Sequence, residues 1–437
     1  MSESLDFPVS SSIPALPRKA SPVAPQERLD VIDILRGMAL FGIITANMRG
    51  FDAPAEVYFN ITRLFTGHAD RLAQNFVDMV FQGKFVTLFS FLFGVGFAVQ
   101  MSRAEQRGTS VSFYPRRLTV LLIMGLIHSW LIWWGDILVG YALMGFVLFL
   151  FRKRSQKTVM IWAFALAAAD VLMPSGSWIW SHFHPAPLAA ASIPNAAAAA
   201  ARASALQHVI SIYRDGSYFA IAKQRFHDWA TENWPPIYLV TFVFPRFLAG
   251  LWVWRTGVFQ NLEAHRPLLK KLCWAGLTLG VLADAWALVV AFVLKPPGGQ
   301  MTFLSLTQIY CRDLSLPALA CFYACLVMLA VQNPIWKKRL LPFGAVGRMA
   351  LTNYITQSLV CTWLFRLTHL YGKVGPLWDF VPTIIVYGLQ IPLSVWWLSQ
   401  HQYGPLEWLW RSLTYGKVQP MKRIQNPSDD EFAMAQA

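Results

Sequence analysis

Charged residues are scarce in this chain. Only 14% of its 437 residues are Asp, Glu, Lys or Arg, whereas soluble domains carry about 25%. Apolar residues make up 55% of the chain. With so few charges the protein cannot cover a water-facing surface, so lipid must form part of its surroundings. The composition therefore excludes a soluble globular protein.

Paired cysteines and the familiar catalytic motifs are also missing. The five cysteines form no CxxC pair and their number is odd, which argues against a disulfide framework. The sequence has no P-loop, GxSxG, HExxH or Cys/His metal spacing, and we expect no metal. The net charge of +14 lies in short clusters between apolar runs. That distribution is not the footprint of a nucleic-acid-binding surface.

What the chain has instead is a series of apolar runs. Several are about 20 residues long, enough to cross a hydrocarbon core of about 30 Å as a helix. The runs fall at roughly 33–50, 76–100, 117–134, 137–151, 158–173, 237–255, 272–294, 308–331, 343–366 and 379–399. They predict an all-α fold, a polytopic transmembrane helical bundle of about ten spans.

Basic residues alternate between the loops that join these runs. Arginine and lysine are concentrated after the second, fourth, sixth and eighth spans, and the other short loops hold almost none. Cytoplasmic loops of membrane proteins carry an excess of Lys and Arg. The alternation therefore places the basic loops and both the N and C termini in the cytoplasm.

These features divide the chain into two halves, a long loop and two tails. Polar, Ser- and Pro-rich residues predict a disordered cytoplasmic N-terminal tail. The long loop begins with a Pro- and Ala-rich stretch and continues into an amphipathic helix at 206–229 on the membrane surface. The predicted parts are a tail at 1–32, a five-helix half at 33–173, an extracytoplasmic loop at 174–236, a second five-helix half at 237–417 and a tail at 418–437.

The first span contains three polar residues. Asp33 and Arg36 are three residues apart and share a helix face, and Asn47 lies three turns later, near the outer end. Ionisable groups inside a membrane are costly, so each is a functional candidate until a structural role is found. The structural alternative here is an interfacial Asp–Arg pair and a helix–helix hydrogen bond from Asn47.

The third span carries an acid–base candidate. His128 lies in its outer third and Asp136 in the turn that follows. An imidazole accepts and returns protons near neutral pH, and a nearby carboxylate fixes its tautomer. A histidine held for packing is the alternative. The similar depth of His128, Asp136 and Asn47 favours a functional cluster.

Other polar residues enter or flank the later spans. Lys84 lies in the second span among glycines that allow close helix packing, and Arg348 opens the ninth. Glu407 and Arg411 have the i,i+4 spacing of a surface salt bridge on a helix. These residues are weaker candidates than the His128 cluster.

Five ordered stretches resemble the bacterial YeiB-like membrane proteins, whose C-terminal half is known as domain of unknown function 418. The stretches are RLDVIDILRGMALFGIITAN, GKFVTLFSFLFGVGFA, YPRRLTVLLIMGLIHSWLIWWGDILVGYA, GRMALTNYITQS and GPLEWLWR. The likeness covers roughly 28–417. The YeiB-like proteins are similar in turn to transmembrane acyltransferases, such as the lysosomal heparan-α-glucosaminide N-acetyltransferase and the bacterial acyltransferase-3 proteins.

The resemblance implies an activity. The acyltransferases take an acyl group from cytoplasmic acyl-CoA and deliver it to an acceptor across the membrane, a small molecule or a glycan. Their first helix carries an Arg followed by a polar active-site residue, matched here by Arg36 and Asn47. The heparan enzyme also has asparagine there, with its catalytic histidine shortly after. No histidine lies between Asn47 and His68 here, so the role falls to His128 on another helix.

The leading hypothesis is therefore acyl transfer in a bacterial cytoplasmic (inner) membrane. His128 is the expected general base, Asp136 orients it, and Asn47 donates a hydrogen bond to the developing oxyanion. The residues expected to attract the phosphates of the acyl-CoA donor are basic: Arg36, Arg116, Arg117, Lys84 and Arg348. A small-solute transporter or channel and a non-catalytic membrane protein remain open alternatives, as does a homo-oligomer.

Overall fold

The computed structural model describes residues 29–183, 196–232, 235–295 and 302–423. Within these ranges the protein is helical and contains no strand, so the prediction of an all-α fold is confirmed. Most of the predicted N-terminal tail, the central part of the Pro- and Ala-rich stretch and residues 424–437 lie outside the described residues.

The helices follow one another with short connections. The first half contains α1 (Asp30–Asp52), α2 (Ala55–Phe59), α3 (His68–Val80), α4 (Lys84–Gln106), α5 (Phe113–Leu131), α6 (Leu138–Leu150) and α7 (Gln156–Phe183). Next come α8 (Ala196–Asp215), α9 (Tyr218–Glu232) and α10 (Pro236–Tyr238), which a π-helical turn (Leu239–Val243) joins to α11 (Phe244–Arg255). The second half continues with α12 (Arg266–Val289), α13 (Phe303–Ala330), α14 (Pro334–Arg348), α15 (Ala350–Leu367), α16 (Phe380–Gln400) and α17 (Pro405–Tyr415).

Seven helical stretches of the described chain are long and apolar enough to cross a membrane, by length and composition. They are Asp30–Asp52, His68–Gln106, Gln156–Trp180, Pro236–Arg255, Arg266–Leu294, Phe303–Ala330 and Phe380–Gln400. The protein is therefore a multi-pass membrane protein. The other three predicted spans coincide with α5, with α6 and with the α14–α15 region. α6 has only 13 residues, about 20 Å at 1.5 Å per residue. The total of ten spans stays a prediction.

α1 is the central helix of the bundle. Its apolar window is 78% buried inside the protein, against 6% for the window of α7. Glycines let α14 approach α1 closely: a Cβ added to Gly37 would lie 1.9 Å from the carbonyl oxygen of Phe343, and one added to Gly347 would lie 1.8 Å from that of Asp33. Backbone contact at Gly347 holds Arg348, the last residue of α14, against the start of α1.

The predicted ninth span, 343–366, is not one continuous helix. α14 ends at Arg348 and α15 begins at Ala350, with Met349 outside helical geometry at φ −108° and ψ 33°. The Glu407 carboxylate of α17 accepts hydrogen bonds from the backbone N–H groups of Leu351 (2.6 Å) and Thr352 (3.1 Å). It satisfies two of the donors that the start of a helix leaves without partners, so α17 stabilises the break.

The predicted surface salt bridge between Glu407 and Arg411 is wrong. Glu407 is only 9% exposed and accepts a further hydrogen bond from the Thr352 hydroxyl at 2.5 Å. Arg411 instead lies over the ring of Tyr403, 4.7 Å from its centroid. The i,i+4 spacing was correct for a helix, but a helix N-terminus from elsewhere in the fold binds the carboxylate more favourably than a surface arginine does.

The region predicted as one amphipathic helix, 206–229, forms the two helices α8 and α9, which are separated at Gly216 and Ser217. They pack on the ends of α5 and α15. The Tyr218 hydroxyl (2.9 Å) and the Arg225 guanidinium both donate to the carbonyl of Leu131, the last residue of α5. Arg366, near the end of α15, donates to the Gly216 carbonyl at 2.9 Å. We call α8 and α9 the outer layer; it covers the end of α5 that carries His128.

Candidate functional site

The sharp turn after α5 brings His128 and Asp136 together. Nδ1 of His128 lies 2.8 Å from Oδ1 of Asp136, so the contact expected from the sequence is present. Oδ2 of Asp136 accepts the backbone N–H of Val139 at 2.8 Å, in the first turn of α6. Both side chains of the pair are completely buried. Because the carboxylate is fixed on both oxygens, it orients the imidazole and leaves Nε2 for other chemistry.

Two buried polar groups of this region have unused hydrogen-bonding capacity. Within the described chain Nε2 of His128 makes no hydrogen bond, and the Tyr354 hydroxyl donates to no acceptor, although the backbone N–H of Ile137 faces its oxygen. The two rings are in contact, with centroids 5.2 Å apart. Most buried polar side-chain atoms in proteins are hydrogen-bonded, so two exceptions side by side call for a specific explanation, such as a binding site for a ligand or water.

Asn47 lies on the same side of the bundle but is not in this pair. It is 8% exposed and lies one turn before Gly50 on α1. The Trp133 indole donates to the Gly50 carbonyl at 2.7 Å, and its ring is 6.4 Å from the ring of His128. Trp133 thus joins the end of α1 to the His128 turn. Among the described residues, no hydrogen bond or ring contact joins Asn47 itself to His128.

A cavity of about 260 Å³ runs into the bundle next to this pair. We call its basic end the arginine mouth, defined by Arg36, Arg103, Arg117, Arg348 and Arg411. Farther in, the lining is mainly apolar and aromatic, including Phe89, Phe93, Leu121, Leu138 and Tyr141. Ile137, which follows Asp136 directly, and Tyr354 also line it. His128 does not line the cavity; Tyr354 is the lining residue in ring contact with it.

The arginine mouth carries more positive than negative charge. Arg36 pairs with Asp33 at 3.0 Å, as the sequence predicted. Arg117 lies over the Trp410 ring, 3.5 Å from its centroid, and its backbone carbonyl accepts the Trp410 indole N–H at 2.8 Å. In the described parts of the chain, Arg117, Arg348 and Arg411 form no ion pair with a carboxylate. Guanidinium groups held in this way suit a phosphate-bearing ligand.

Glu407 is the buried acid of the mouth. Burial raises the pKa of Glu407 above its ordinary value of 4.5, and the hydrogen bonds from Thr352 and Leu351 offset part of that increase. Its carboxyl group links α17, which supplies Trp410 and Arg411, to the start of α15. The positions of Arg411 and of Trp410, on which Arg117 stacks, therefore depend on this one side chain.

The structure places two of the predicted donor-binding residues elsewhere. Nζ of Lys84 lies 3.3 Å from Oδ2 of Asp284 and donates to the Asp78 carbonyl at 2.8 Å, in a buried pair that does not line the cavity. Arg116 lies against Gly416, also outside the lining. Arg36, Arg117 and Arg348 do line it.

Sequence reasoning missed two further features. Arg103 and Arg411 line the mouth, although the sequence showed them only as a loop charge and a surface pair. A second buried cluster lies at the other end of α1. Arg49 donates to both oxygens of Asp52 (3.1 and 3.0 Å) and to the carboxylate of Asp379. The i,i+3 spacing of Arg49 and Asp52 could have predicted their ion pair. The third member, Asp379 from the α15–α16 loop, could not have been predicted, because it is distant in sequence.

Comparison with known proteins identifies relatives over nearly the full length. The family described as "Protein of unknown function (DUF418)" matches residues 253–417. The chain is 37% identical over 422 residues to the uncharacterized protein YxaH of Bacillus subtilis, covering 92% of this chain and 98% of that protein. It is 30% identical over 424 residues to the uncharacterized protein YeiB of Escherichia coli, covering 90% and 98%. This chain therefore belongs to the YeiB-like family of membrane proteins, which contain domain of unknown function 418.

Proposed function

We propose that this protein is an integral-membrane acyltransferase of the bacterial cytoplasmic membrane. It would move an acyl group from cytoplasmic acyl-CoA to a hydroxyl or amine acceptor in the envelope or outside the cell. One observation carries the proposal: a single cavity has the arginine mouth at one end and, farther in, Tyr354 in ring contact with the buried His128–Asp136 pair.

Each part of the cavity suits one part of the donor. Acyl-CoA has a phosphorylated nucleotide head, a flexible arm and a thioester that ends in an apolar chain. Guanidinium groups of the mouth bind the phosphates by charge-assisted hydrogen bonds, and Trp410 holds Arg117 in place by stacking. The apolar and aromatic lining accommodates the acyl end and excludes water, which limits loss of the thioester by hydrolysis.

The His128–Asp136 pair supplies the acid–base chemistry. As the acceptor oxygen or nitrogen attacks the thioester carbonyl carbon, Nε2 of His128 takes its proton. Because His128 does not line the cavity, this step requires the acceptor to reach Nε2 past the edge of the Tyr354 ring. The tetrahedral intermediate then collapses, the C–S bond breaks, and the same proton passes to the sulfur of coenzyme A. Asp136 keeps the proton of the neutral imidazole on Nδ1 and stabilises the imidazolium. Asn47 remains the proposed amide donor to the oxyanion, on the α1 end that Trp133 joins to the His128 turn.

A small-solute transporter is the second candidate. The observation that favours it is the number of buried charges that acyl transfer does not use: the Lys84–Asp284 pair and the cluster of Arg49, Asp52 and Asp379. Charges inside a membrane frequently mark a translocation pathway. Neither group of charges, however, lines the cavity that begins at the arginine mouth.

The test uses purified protein in lipid nanodiscs with acetyl-CoA and glucosamine, a probe acceptor that offers an amine and several hydroxyls. Release of coenzyme A is followed by thiol titration, and the acetylated product by mass spectrometry. We expect His128→Ala to abolish transfer while acetyl-CoA binding, measured by calorimetry, stays unchanged. Wild-type protein that neither binds acetyl-CoA nor forms product contradicts the proposal. Solute uptake into proteoliposomes that persists in His128→Ala supports the transporter.

A further inference from the structure

Tyr354 occupies the position between the cavity and His128. It lies one turn into α15, lines the cavity and contacts the imidazole ring. The side chain is 3% exposed, the backbone N–H of Ile137 faces its oxygen, and its O–H donates to no acceptor among the described residues. Burying a phenol hydroxyl removes its hydrogen bond to water, and this costs free energy unless another group replaces the water.

The neighbouring polar groups of the same stretch are already engaged. The Asn353 amide donates to the Val346 carbonyl (3.1 Å) and to the Ser394 hydroxyl (3.0 Å). Gln357 donates to Gln390 at 2.8 Å. These bonds stabilise the contact of α15 with α14 and α16. In this stretch Nε of Arg348, at the arginine mouth, and the Tyr354 hydroxyl, farther in, have no acceptor among the described residues.

Another tyrosine of the cavity provides a comparison. The Tyr141 hydroxyl also lines the interior, but it lies 2.7 Å from the Ser90 hydroxyl and 3.4 Å from the Val86 carbonyl. Its hydrogen-bonding capacity is used within the fold. The hydroxyl that remains for a ligand at this end of the cavity is that of Tyr354.

We propose that Tyr354 is a catalytic residue whose hydroxyl donates a hydrogen bond to the carbonyl oxygen of the bound thioester. This inference rests on the proposed acyl transfer and assigns a second donor beside Asn47. When the acceptor attacks, the carbonyl electron pair moves to oxygen and the acceptor proton moves to Nε2 of His128. The O–H of Tyr354 stabilises the oxyanion and keeps its own proton throughout. When the C–S bond breaks, the carbonyl reforms and His128 protonates the departing sulfur.

The geometry suits a phenol in this role. A tyrosine hydroxyl is both donor and acceptor, so it binds the neutral carbonyl before the reaction and the oxyanion during it. Because its ring is buried and packs on His128, the hydroxyl is held in place and little reorganisation accompanies the reaction. Removing one such donor typically lowers turnover by about 10²–10³-fold.

Tyr354→Phe removes the hydroxyl and keeps the ring that packs on His128. We expect kcat for acetyl transfer to glucosamine to fall about 10²-fold, with KM and Kd for acetyl-CoA within about two-fold of wild type, because the arginine mouth is intact. The matched control is Tyr323→Phe. Its hydroxyl donates to the Val80 carbonyl at 3.0 Å, away from the cavity, so kcat per folded protein should stay at the wild-type value.

The outcomes separate this inference from the proposed function. One outcome would contradict the role of Tyr354 alone: wild type is active, His128→Ala is inactive, and Tyr354→Phe keeps the full kcat. In that case Tyr354 is not catalytic, and the proposal of acyl transfer is unaffected. If Tyr354→Phe loses activity only in proportion to a weaker Kd for acetyl-CoA, its role is in binding and the inference is wrong. If wild-type protein binds no acetyl-CoA and transfers no acetyl group, the proposed acyl transfer and the role of Tyr354 are both wrong. Thermal melting of each variant identifies losses that are due to unfolding.

Discussion

Nδ1 of His128 lies 2.8 Å from Oδ1 of Asp136, and the other oxygen of the same carboxylate accepts the N–H of Val139 at the start of α6. One acid therefore fixes an imidazole and a helix start. The first prediction follows from these two hydrogen bonds. Asp136→Asn keeps the size and shape of the side chain but allows the imidazole of His128 to hold its proton on Nε2. We expect kcat for acetyl transfer to fall by roughly 10²–10⁴-fold, because the proton then occupies the nitrogen that must act as base.

The control for Asp136→Asn is Asp228→Asn. Asp228 is also a buried acid with two partners, the Tyr213 hydroxyl at 2.5 Å and Gln224 at 2.7 Å, but it lies in the outer layer. Steady-state kinetics and acetyl-CoA affinity are measured for both variants. Equal losses of kcat in the two would show that any buried acid substitution disturbs the protein and would remove support for a specific role of Asp136.

A second prediction concerns the arginine mouth. Arg117→Ala should weaken acetyl-CoA binding by about 10–100-fold, since a charge-assisted hydrogen bond contributes about 1.5–3 kcal/mol. Arg154→Ala removes one positive charge from an exposed residue on a basic loop outside the cavity, and its Kd should stay within about two-fold. Calorimetric titration at two salt concentrations checks both. If the two variants weaken binding equally, the donor responds to overall charge and not to this mouth.

A third prediction concerns pH. Because burial raises the pKa of Glu407, the folded protein binds this proton more tightly than the unfolded chain does. Its contribution to stability is full below the ordinary value of 4.5 and is lost as the pH rises through the raised pKa. We expect the melting temperature of wild type to fall with rising pH relative to Glu407→Gln, which does not titrate. Parallel curves for the two proteins from pH 4 to 8 would contradict this.

A fourth prediction tests the second buried cluster. Arg49→Ala leaves the carboxylates of Asp52 and Asp379 buried without their cation. We expect the free energy of unfolding to fall by about 3–5 kcal/mol, as when one partner of a buried ion pair is removed. Arg63→Ala is the control, because Arg63 pairs with Glu56 while its side chain is 43% exposed, and such pairs contribute about 0–1 kcal/mol. Denaturant titration in detergent micelles compares them; similar losses would show that Arg49 has no special structural role.

The helices could be predicted from the sequence because lipid imposes a simple rule on composition. Each apolar run falls on helical residues, although the runs at 76–100 and 343–366 are each divided between two helices. α1 extends the run at 33–50 by only a few residues at its start and two at its end. The His128–Asp136 contact was predictable for a local reason: eight residues and one tight turn separate the pair. Both the helices and the His128–Asp136 contact were predictable because they depend on residues that are close together in the sequence.

The cavity could not be predicted in the same way. Arg36, Arg117 and Arg348 were expected to bind the donor, but Arg103 and Arg411 read in the sequence as ordinary basic residues near the cytoplasm. The five come from five helices or their ends, and only the fold brings them to one cavity. Hydropathy does not predict the helix break at Met349, because the sequence is apolar on both sides of it. The carboxylate that stabilises the break, Glu407, comes from α17, which is distant in sequence. That the Tyr354 ring lies against His128 while its O–H donates to no acceptor is a property of the folded protein, which the sequence does not reveal.

The contact between Arg49 and Asp379 has a consequence for how the protein is made. The two residues are 330 positions apart, and a bacterial ribosome adds about 5–20 residues per second. For an interval on the order of tens of seconds, α1 is in the translocon or bilayer while Asp379 does not yet exist. Asp52, three residues along the same helix, is then the acid that accompanies Arg49. We therefore expect Asp52, whose contact with Arg49 is local, to neutralise the guanidinium before Asp379 is made.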